Sequence, residues 1–234
     1  MAARNRRSAA HFGPGLMAFL KELAANNRKA WFEEHKARYE AEVREPALEL
    51  VRAFAPRLER ISPHFVASDR KVGGSLMRIH RDVRFSKDKS PYKTNLGIQF
   101  RHEAGKDVHA PGFYVHVEPS GCFLGAGMWH PESGALRAVR EAIVADPAGW
   151  KRVRDGKAFR RRWDLAGEAL KRAPKGFDPD HPLVEDLKRK DHVAVADLDP
   201  KVLTSPDLLK ELVTRFRAAL PYMRYLGEAQ GISI

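Results

Sequence analysis

Three consecutive stretches in the middle of the chain decide the fold: TNLGIQFRH at 94–102, GFYVHVE at 112–118 and GCFLGAGMW at 121–129. Each carries apolar residues at alternate positions or in a short run, which is typical of a β-strand. A hairpin loop at 103–107 and a tight turn at 119–121 would connect them. The three stretches therefore predict an antiparallel meander.

Apolar residues at helical spacing flank this region on both sides. We predict helices at 16–26, at 28–45, from Pro46 onward, from Ser133 onward, at 147–153, at 182–190 and at 206–227, with a further strand at 192–198 and an irregular basic stretch at 157–180. This pattern predicts an α+β fold, a mainly antiparallel sheet with helices packed chiefly on one face. The chain shows no internal repeat and no long linker, so we predict a disordered basic tail at 1–11 and a single α+β domain at 12–234.

The composition narrows the classes of partner. The formal net charge is +12, and excess positive charge attracts nucleic acid, phosphorylated metabolites or an acidic protein. A single cysteine, Cys122, excludes an intramolecular disulfide and a cysteine zinc cluster. No run approaches the roughly 18 apolar residues of a membrane helix, and the N-terminus lacks a secretory pattern. We therefore expect no membrane segment and a cytoplasmic location.

A fourth predicted strand, LMRIHRDVRF at 76–85, precedes the meander. Side chains alternate between the two faces of a strand. Alternation places Met77 and Ile79 on the apolar side, and makes Arg81 a buried residue paired with Asp88 or with a helix carboxylate. The opposite face of this strand and of the first two strands of the meander then collects polar side chains: Arg78, His80, Asp82, Arg84, Asn95, Gln99, Arg101, Tyr114, His116 and Glu118.

These polar residue types are suited to a concave site for a small anion bearing phosphate or carboxylate. Arginine offers forked donors, histidine titrates near neutral pH, and a carboxylate orients its neighbours. The predicted ligand-binding residues are Arg78, Arg84, Arg101, Lys87, Lys93 and Gln99, and the predicted catalytic residues are His116, Tyr114, Asp82 and Glu118. Whether such a pocket catalyses a reaction or only binds stays open, as does an ordinary solvated sheet face without any ligand.

Nucleic acid binding is the main alternative. Basic residues crowd the segments 87–93 and 151–162, and the second has Trp150, Phe159 and Trp163 close by in sequence. Such residues neutralise phosphates and stack on bases, unless the aromatic side chains face the core. A third alternative is a structural or interaction protein without a ligand.

A metal site is a weaker hypothesis. His80, Asp82, His116 and Glu118 would have to converge from two strands, without a local ligand motif and beside arginines that repel a cation. No Walker A loop and no nucleophile elbow is present. We therefore expect neither a metal nor a cofactor.

The chain resembles the largely bacterial family of conserved hypothetical proteins known as domain of unknown function 2461. The matching residues read FL at 19–20, NNRKAWF at 26–32, RIHRDVRFSKDKSPYKT at 78–94, GFYVHV at 112–117 and GAGMW at 125–129. The stretch RFSKDKSPYK is the most specific of them, and the resemblance extends from about 12 to 227. The resemblance supports the prediction of one domain, but it does not indicate an activity, a cofactor or a catalytic residue.

Overall fold

The computed structural model describes residues 10–105 and 111–234. The first nine residues of the predicted tail and the end of the predicted loop at 103–107 lie outside the described residues. The helices are Gly15–Ala25 (α1), Lys29–Glu34 (α2), Lys36–Arg38 (α3), Glu45–Glu59 (α4), Ser133–Ala145 (α5), Pro147–Arg154 (α6), Lys157–Arg160 (α7), Val184–Leu187 (α8), Pro200–Leu203 (α9) and Leu208–Glu228 (α10).

Six strands form one antiparallel sheet in the order β1-β2-β3-β4-β6-β5. They are Phe65–Val66 (β1), Leu96–His102 (β2), Gly112–Glu118 (β3), Gly121–Met128 (β4), Asp164–Ala166 (β5) and His192–Asp197 (β6). In the centre of the sheet Val115 lies between Ile98 and Leu124, so the apolar positions of β2, β3 and β4 fall on one face. The predicted meander and the α+β class are confirmed.

The helices cover this apolar face. Phe216 of α10 stacks on Phe113 with ring centroids 4.4 Å apart, and Phe54 of α4 lies 5.0 Å from Phe100. Since Phe100 and Phe113 are opposite each other in β2 and β3, both helices pack on the same side of the sheet. This burial of large aromatic rings is a major source of stability.

The prediction of a single helix at 28–45 is wrong. α2 ends at Glu34, and the ring Nδ1 of His35 lies 2.8 Å from the carbonyl oxygen of Trp31. A π-helical segment, Tyr39–Arg44, then leads into α4. The wider turn shifts the register, so Tyr39 and Val43 are both buried. The stretch 157–180, predicted to be irregular, contains α7 and β5.

The strand predicted at 76–85 is also wrong. Of the described stretch 75–85, residues 75–77 lie along the edge of β2. There the Met77 amide donates to the Gly97 carbonyl at 2.9 Å, and the Gln99 amide donates to the Ser75 carbonyl at 2.8 Å. The chain then leaves the sheet and forms its own hairpin. Leu76 lies opposite Ile98, which places Leu76 on the apolar side and Met77 on the polar side. The alternation predicted for Met77 is therefore reversed.

That separate structure, the basic hairpin, comprises residues 79–93. Its two arms pair where the Arg81 amide donates to Pro91 at 2.9 Å and the Lys93 amide donates to Ile79 at 2.7 Å. Arg81 is half-buried and pairs with Asp88, the first of the two partners considered for it. Because the arms bond to each other instead of to β2, their side chains do not follow the two faces of the sheet.

Candidate functional site

The polar sheet face consists of Gln99, Arg101, Tyr114, His116 and Glu118, on the side of β2 and β3 that faces away from α4 and α10. Gln99 lies directly opposite Tyr114 across the two strands. The other members follow at alternate positions, which gives all five side chains the same direction. The structure thus brings together five of the ten predicted site residues.

A row of hydrogen-bonding groups runs along β3. The Tyr114 hydroxyl lies 3.1 Å from Nδ1 of His116, and His116 Nε2 lies 3.5 Å from Oε2 of Glu118. The carboxylate favours a hydrogen on Nε2, because it can only accept. Nδ1 is then the acceptor for the Tyr114 hydroxyl, and a proton can move along the row in defined steps.

Tyr114 owes its position to glycine. A Cβ added at Gly97 would lie 2.6 Å from the Tyr114 hydroxyl oxygen and 3.0 Å from Sδ of Met77. On the other side, a Cβ at Gly125 would lie 3.3 Å from Cβ of Tyr114. The ring therefore lies across the bare backbone of β2, covered by Met77. Burial, with help from the charge of Glu118, raises the pKa of Tyr114 to about 12, so the hydroxyl keeps its hydrogen at neutral pH.

His116 is held in one orientation by Phe123. The two rings stack with centroids 4.5 Å apart at an interplanar angle of 15°. Burial lowers the pKa of His116, and nearby Glu118 opposes that shift. The imidazole is accordingly neutral at pH 7 and can accept a proton there, with Glu118 beside it to stabilise the imidazolium.

Arg101 supplies positive charge at the end of the row. Its Nε donates to Oε1 of Gln99 at 3.3 Å, and the side chain is half-buried. Within the described residues, no carboxylate oxygen lies within 4.0 Å of its guanidinium nitrogens. Arg101 and Gln99 therefore present adjacent polar groups beside Tyr114 with one positive charge that no described carboxylate neutralises.

The other predicted site residues lie in or beside the basic hairpin, and two of them, Asp82 and Arg84, contact each other near its tip. Arg84 donates to both carboxylate oxygens of Asp82, at 2.9 and 2.7 Å, and this pairing lowers the pKa of Asp82 to about 2. Lys87 is exposed. Asp82 thus takes its hydrogen bonds from Arg84 and does not orient His116 or Tyr114 through any contact in the structure.

Lys93 and Arg78 lie closer to the sheet. Lys93 is half-buried, and burial together with the charge of Arg78 lowers its pKa. Arg78 itself is exposed. The two cations are therefore neighbours at the base of the basic hairpin.

The sequence of the chain matches a family model over most of the chain's length. The model is that of a conserved hypothetical protein (DUF2461), and it matches residues 15–225. The chain belongs to this family. A search of curated proteins and a search of solved structures both find no match. The DUF2461 region includes the polar sheet face and the whole basic hairpin.

Within this DUF2461 region, Asn27 has a role that the sequence did not indicate. Its Oδ1 accepts from the Tyr92 amide at 3.1 Å, and its Nδ2 donates to the Tyr92 carbonyl at 2.9 Å. The Tyr92 ring stacks on Phe32 at 4.1 Å. The side-chain amide of Asn27 thus bonds to the backbone of the basic hairpin in the way that the backbone of a neighbouring strand would. Residues of the NNRKAWF stretch therefore anchor RFSKDKSPYK, although no periodicity links the two.

Two further residues of the site, Gly97 and Phe123, were not predicted from the sequence. A glycine in the interior of a strand often marks a close approach of another group, and this was the available signal for Gly97. Phe123 falls on the polar side of β4 and gives no comparable signal.

The aromatic residues near the basic segment 151–162 face the core. Trp150 and Trp163 are fully buried and Phe159 is 4% exposed. Trp163 also donates from Nε1 to the Arg215 carbonyl at 3.0 Å. These three rings are closed to stacking on bases, whereas cations such as Lys151 and Arg152 are exposed. The structure supports the interpretation in which the aromatic side chains of this segment are core residues.

The residues considered for a metal site do not converge. His80 lies against Phe32 and Tyr92, with ring centroids 6.4 and 5.2 Å away, and Asp82 bonds to Arg84. Among residues 10–105 and 111–234, no three His, Cys, Asp or Glu side chains are grouped as metal ligands would be. In the same ranges, no helix has the length and apolar character needed to cross a bilayer.

Proposed function

We propose that the polar sheet face binds a small anionic ligand, bearing phosphate or carboxylate, and that Tyr114 and His116 transfer a proton from it. The observation that carries the proposal is the row Tyr114–His116–Glu118, beside an arginine that has no carboxylate partner among the described residues.

Binding begins with Arg101. A guanidinium presents parallel N–H groups that match two oxygens of a carboxylate or phosphate, and such charge-assisted bonds are about twice as strong as neutral ones. Gln99 shares the face and lies directly opposite Tyr114, and directly opposed Cβ atoms are about 5 Å apart. The Tyr114 hydroxyl, however, lies over Gly97, two residues beyond Gln99 on the side away from Arg101. A ligand held by Arg101 must therefore extend past Gln99 to bring a hydroxyl of its own to Tyr114.

Proton transfer then follows the row. As Nδ1 of His116 takes the hydrogen of Tyr114, the Tyr114 oxygen takes a hydrogen from a ligand hydroxyl. The net movement is one proton from the ligand to His116, and Tyr114 ends neutral. Glu118 stabilises the imidazolium that forms. The lowered pKa of His116 keeps it neutral and ready to accept at pH 7.

The cations of the basic hairpin contribute at longer range. Arg78 and Lys93 add positive potential near the sheet, which raises the local concentration of an anion. Arg84 and Lys87, also predicted from the sequence to bind the ligand, should contribute little, because Arg84 is already paired with Asp82 and both side chains are exposed.

The test is a thermal-shift screen of phosphorylated and carboxylated metabolites against the parent protein and the variants Arg101→Gln, His116→Gln and Arg84→Gln. We expect at least one compound to raise the melting temperature, since a ligand at about 100 times its Kd stabilises the folded state by about 2.7 kcal/mol. Arg101→Gln should weaken binding by about tenfold or more, because it removes a charged hydrogen-bond donor.

The Arg84→Gln variant is the matched control, since it removes the same charge from a paired and exposed position. It should leave the melting-temperature response unchanged. His116→Gln should retain binding and lose proton transfer. A screen without any stabilising compound, or equal losses in Arg84→Gln and Arg101→Gln, would contradict the proposal.

A further inference from the structure

The side chain of Phe85 projects into solvent at the end of the basic hairpin. It is 96% exposed, the largest exposed fraction among the large apolar side chains of the described residues. Single exposed apolar residues are common on protein surfaces and need no function. What distinguishes Phe85 is its setting in a positively charged loop whose shape is fixed by hydrogen bonds. We call residues 83–89 the hairpin tip.

Hydrogen bonds within the basic hairpin hold the hairpin tip in shape. The Val83 carbonyl accepts from the Ser86 amide at 3.4 Å and from Nζ of Lys89 at 3.0 Å. Oδ1 of Asp88 accepts from the amide and the hydroxyl of Ser90, at 2.9 and 2.6 Å. The hairpin tip is therefore ordered without burial of its aromatic ring, and a partner that binds the ring has little further chain to order.

The hairpin tip also carries positive charge that faces solvent. Both acidic residues of the basic hairpin already pair with arginines of the same hairpin. Lys87 and Lys89 are exposed, and no carboxylate oxygen of the described chain lies within 4.0 Å of either ammonium group. The two lysines follow Phe85 by two and four residues. Exposed cations of this kind attract a polyanion to the place where the ring is presented.

The surroundings of the Phe85 ring indicate what such a polyanion would offer it. The Arg84 guanidinium lies over the ring, with Cζ 5.7 Å from the ring centroid. The rest of the ring is open to solvent. An exposed aromatic ring among cations is suited to stack on a nucleic-acid base while the cations contact phosphates. Because the bases of a duplex already stack on both faces, a single strand is the better partner.

A membrane surface is less suited to this hairpin tip. Interfacial binding to a membrane depends on the apolar area that several side chains bury together. Among the described residues 79–93, only Phe85 exposes a large apolar side chain. One ring is enough to stack on one base, but it offers little area for insertion between lipids.

We propose that the hairpin tip is a binding surface for single-stranded nucleic acid, in which Phe85 stacks on one base and Lys87 and Lys89 contact neighbouring phosphates. This surface lies outside the polar sheet face and does not depend on the function proposed for that face. It also differs from the basic segment 151–162, whose neighbouring aromatic rings are buried. Stacking by one ring accepts any base, so little sequence preference is expected.

The experiment measures binding to two short labelled single strands by fluorescence anisotropy. One is an oligothymidine, and the other is an abasic strand of the same length, which keeps the phosphates and lacks the bases. We expect the parent protein to bind the oligothymidine about tenfold more tightly, because the bases add stacking. Phe85→Leu should lose this difference, and Phe85→Tyr should keep it, since tyrosine retains a ring. Lys87→Gln should weaken binding of both strands by the same factor.

Two controls separate the hairpin tip from the rest of the surface. Trp129→Leu removes an aromatic side chain that is exposed outside the basic hairpin, and it should keep the preference for the oligothymidine. The preference should also persist in a chain that carries Lys151→Gln, Arg152→Gln and Arg161→Gln, because these changes remove phosphate contacts only. Phe85→Leu should melt at the parent's temperature, since the ring is exposed, so its loss of binding would not result from unfolding.

The inference is overturned if the parent protein binds the abasic strand as tightly as the oligothymidine, or if Phe85→Leu retains the preference. Equal losses in Phe85→Leu and Trp129→Leu would also contradict it, because the base contact would then not belong to the hairpin tip. A third contrary result is binding to vesicles of anionic phospholipid that depends on Phe85, without such dependence for the oligothymidine. The hairpin tip would then be a membrane contact.

Discussion

The absence of a side chain at Gly97 determines where the Tyr114 hydroxyl lies. The Tyr114 hydroxyl occupies the space that a Cβ at Gly97 would need, 2.6 Å away, and this hydroxyl is also the group 3.1 Å from His116. The close approach of a ring to a strand backbone is a recognised reason for glycine in a sheet interior.

A Gly97→Ala substitution should therefore weaken ligand binding at the polar sheet face while lowering the stability of the fold only a little. The clashing atom is the far end of a side chain, so the ring can move, and we expect a loss of about 1 kcal/mol in the free energy of unfolding. The displaced hydroxyl should leave His116, and binding at the polar sheet face should weaken about tenfold. Urea unfolding and the thermal-shift assay measure the two effects.

Gly121→Ala is the matched control for this substitution. Gly121 is a strand residue whose added Cβ would meet no atom within 4 Å. This substitution should change the free energy of unfolding by no more than about 0.5 kcal/mol, and it should leave ligand binding unchanged. If both alanine variants bind the ligand as well as the parent does, Tyr114 does not need its observed position.

Among the elements, the basic hairpin depends on a contact outside itself. Its arms exchange backbone hydrogen bonds, and Asn27 bonds to both the amide and the carbonyl of Tyr92. An isolated two-stranded hairpin is marginally stable in water. The Asn27 contact, together with the stacking of Tyr92 on Phe32, is what holds this hairpin against the helices.

An Asn27→Ala variant should loosen the hairpin without unfolding the domain. It leaves two half-buried backbone groups of Tyr92 without their partner, which should cost about 1–3 kcal/mol. Hydrogen exchange measured by mass spectrometry should show faster exchange at the Arg81 and Lys93 amides and unchanged exchange in β3. Arg84→Ala, which breaks an exposed pair, should change neither. Uniform acceleration across the sheet would mean that Asn27 supports the whole fold instead.

For the molecule as a whole, the net charge of +12 bears on the nucleic-acid alternative. The exposed cations of 151–162 can neutralise phosphates, whereas the buried Trp150, Phe159 and Trp163 cannot stack on bases. Binding to single-stranded DNA through this segment would therefore be electrostatic.

We expect such binding, measured by fluorescence anisotropy, to fall by orders of magnitude between about 50 and 200 mM salt and to show no sequence preference. A variant carrying Lys151→Gln, Arg152→Gln and Arg161→Gln should weaken it and reduce its salt dependence. Arg101→Gln should weaken it much less. Affinity that persists at about 0.5 M salt would require base contacts and would contradict a purely electrostatic mode.

The sequence by itself determined the α+β class, the meander β2-β3-β4 and the common face of Tyr114, His116 and Glu118. These features follow from alternation along a strand, which is a local property of the chain. For the same reason Gln99 and Arg101 were correctly placed on one face of β2. The predicted strand at 76–85 failed because alternation cannot show which partner a strand pairs with.

Only the tertiary structure decided the rest. The path of the basic hairpin depends on Asn27, some 65 residues away from Tyr92 along the chain. The rings of Trp150, His192 and Tyr222 come together in the core from separate elements, and none of them stands out in its own segment. Contacts between distant segments arise from packing of whole elements against one another, which periodicity within one element does not encode.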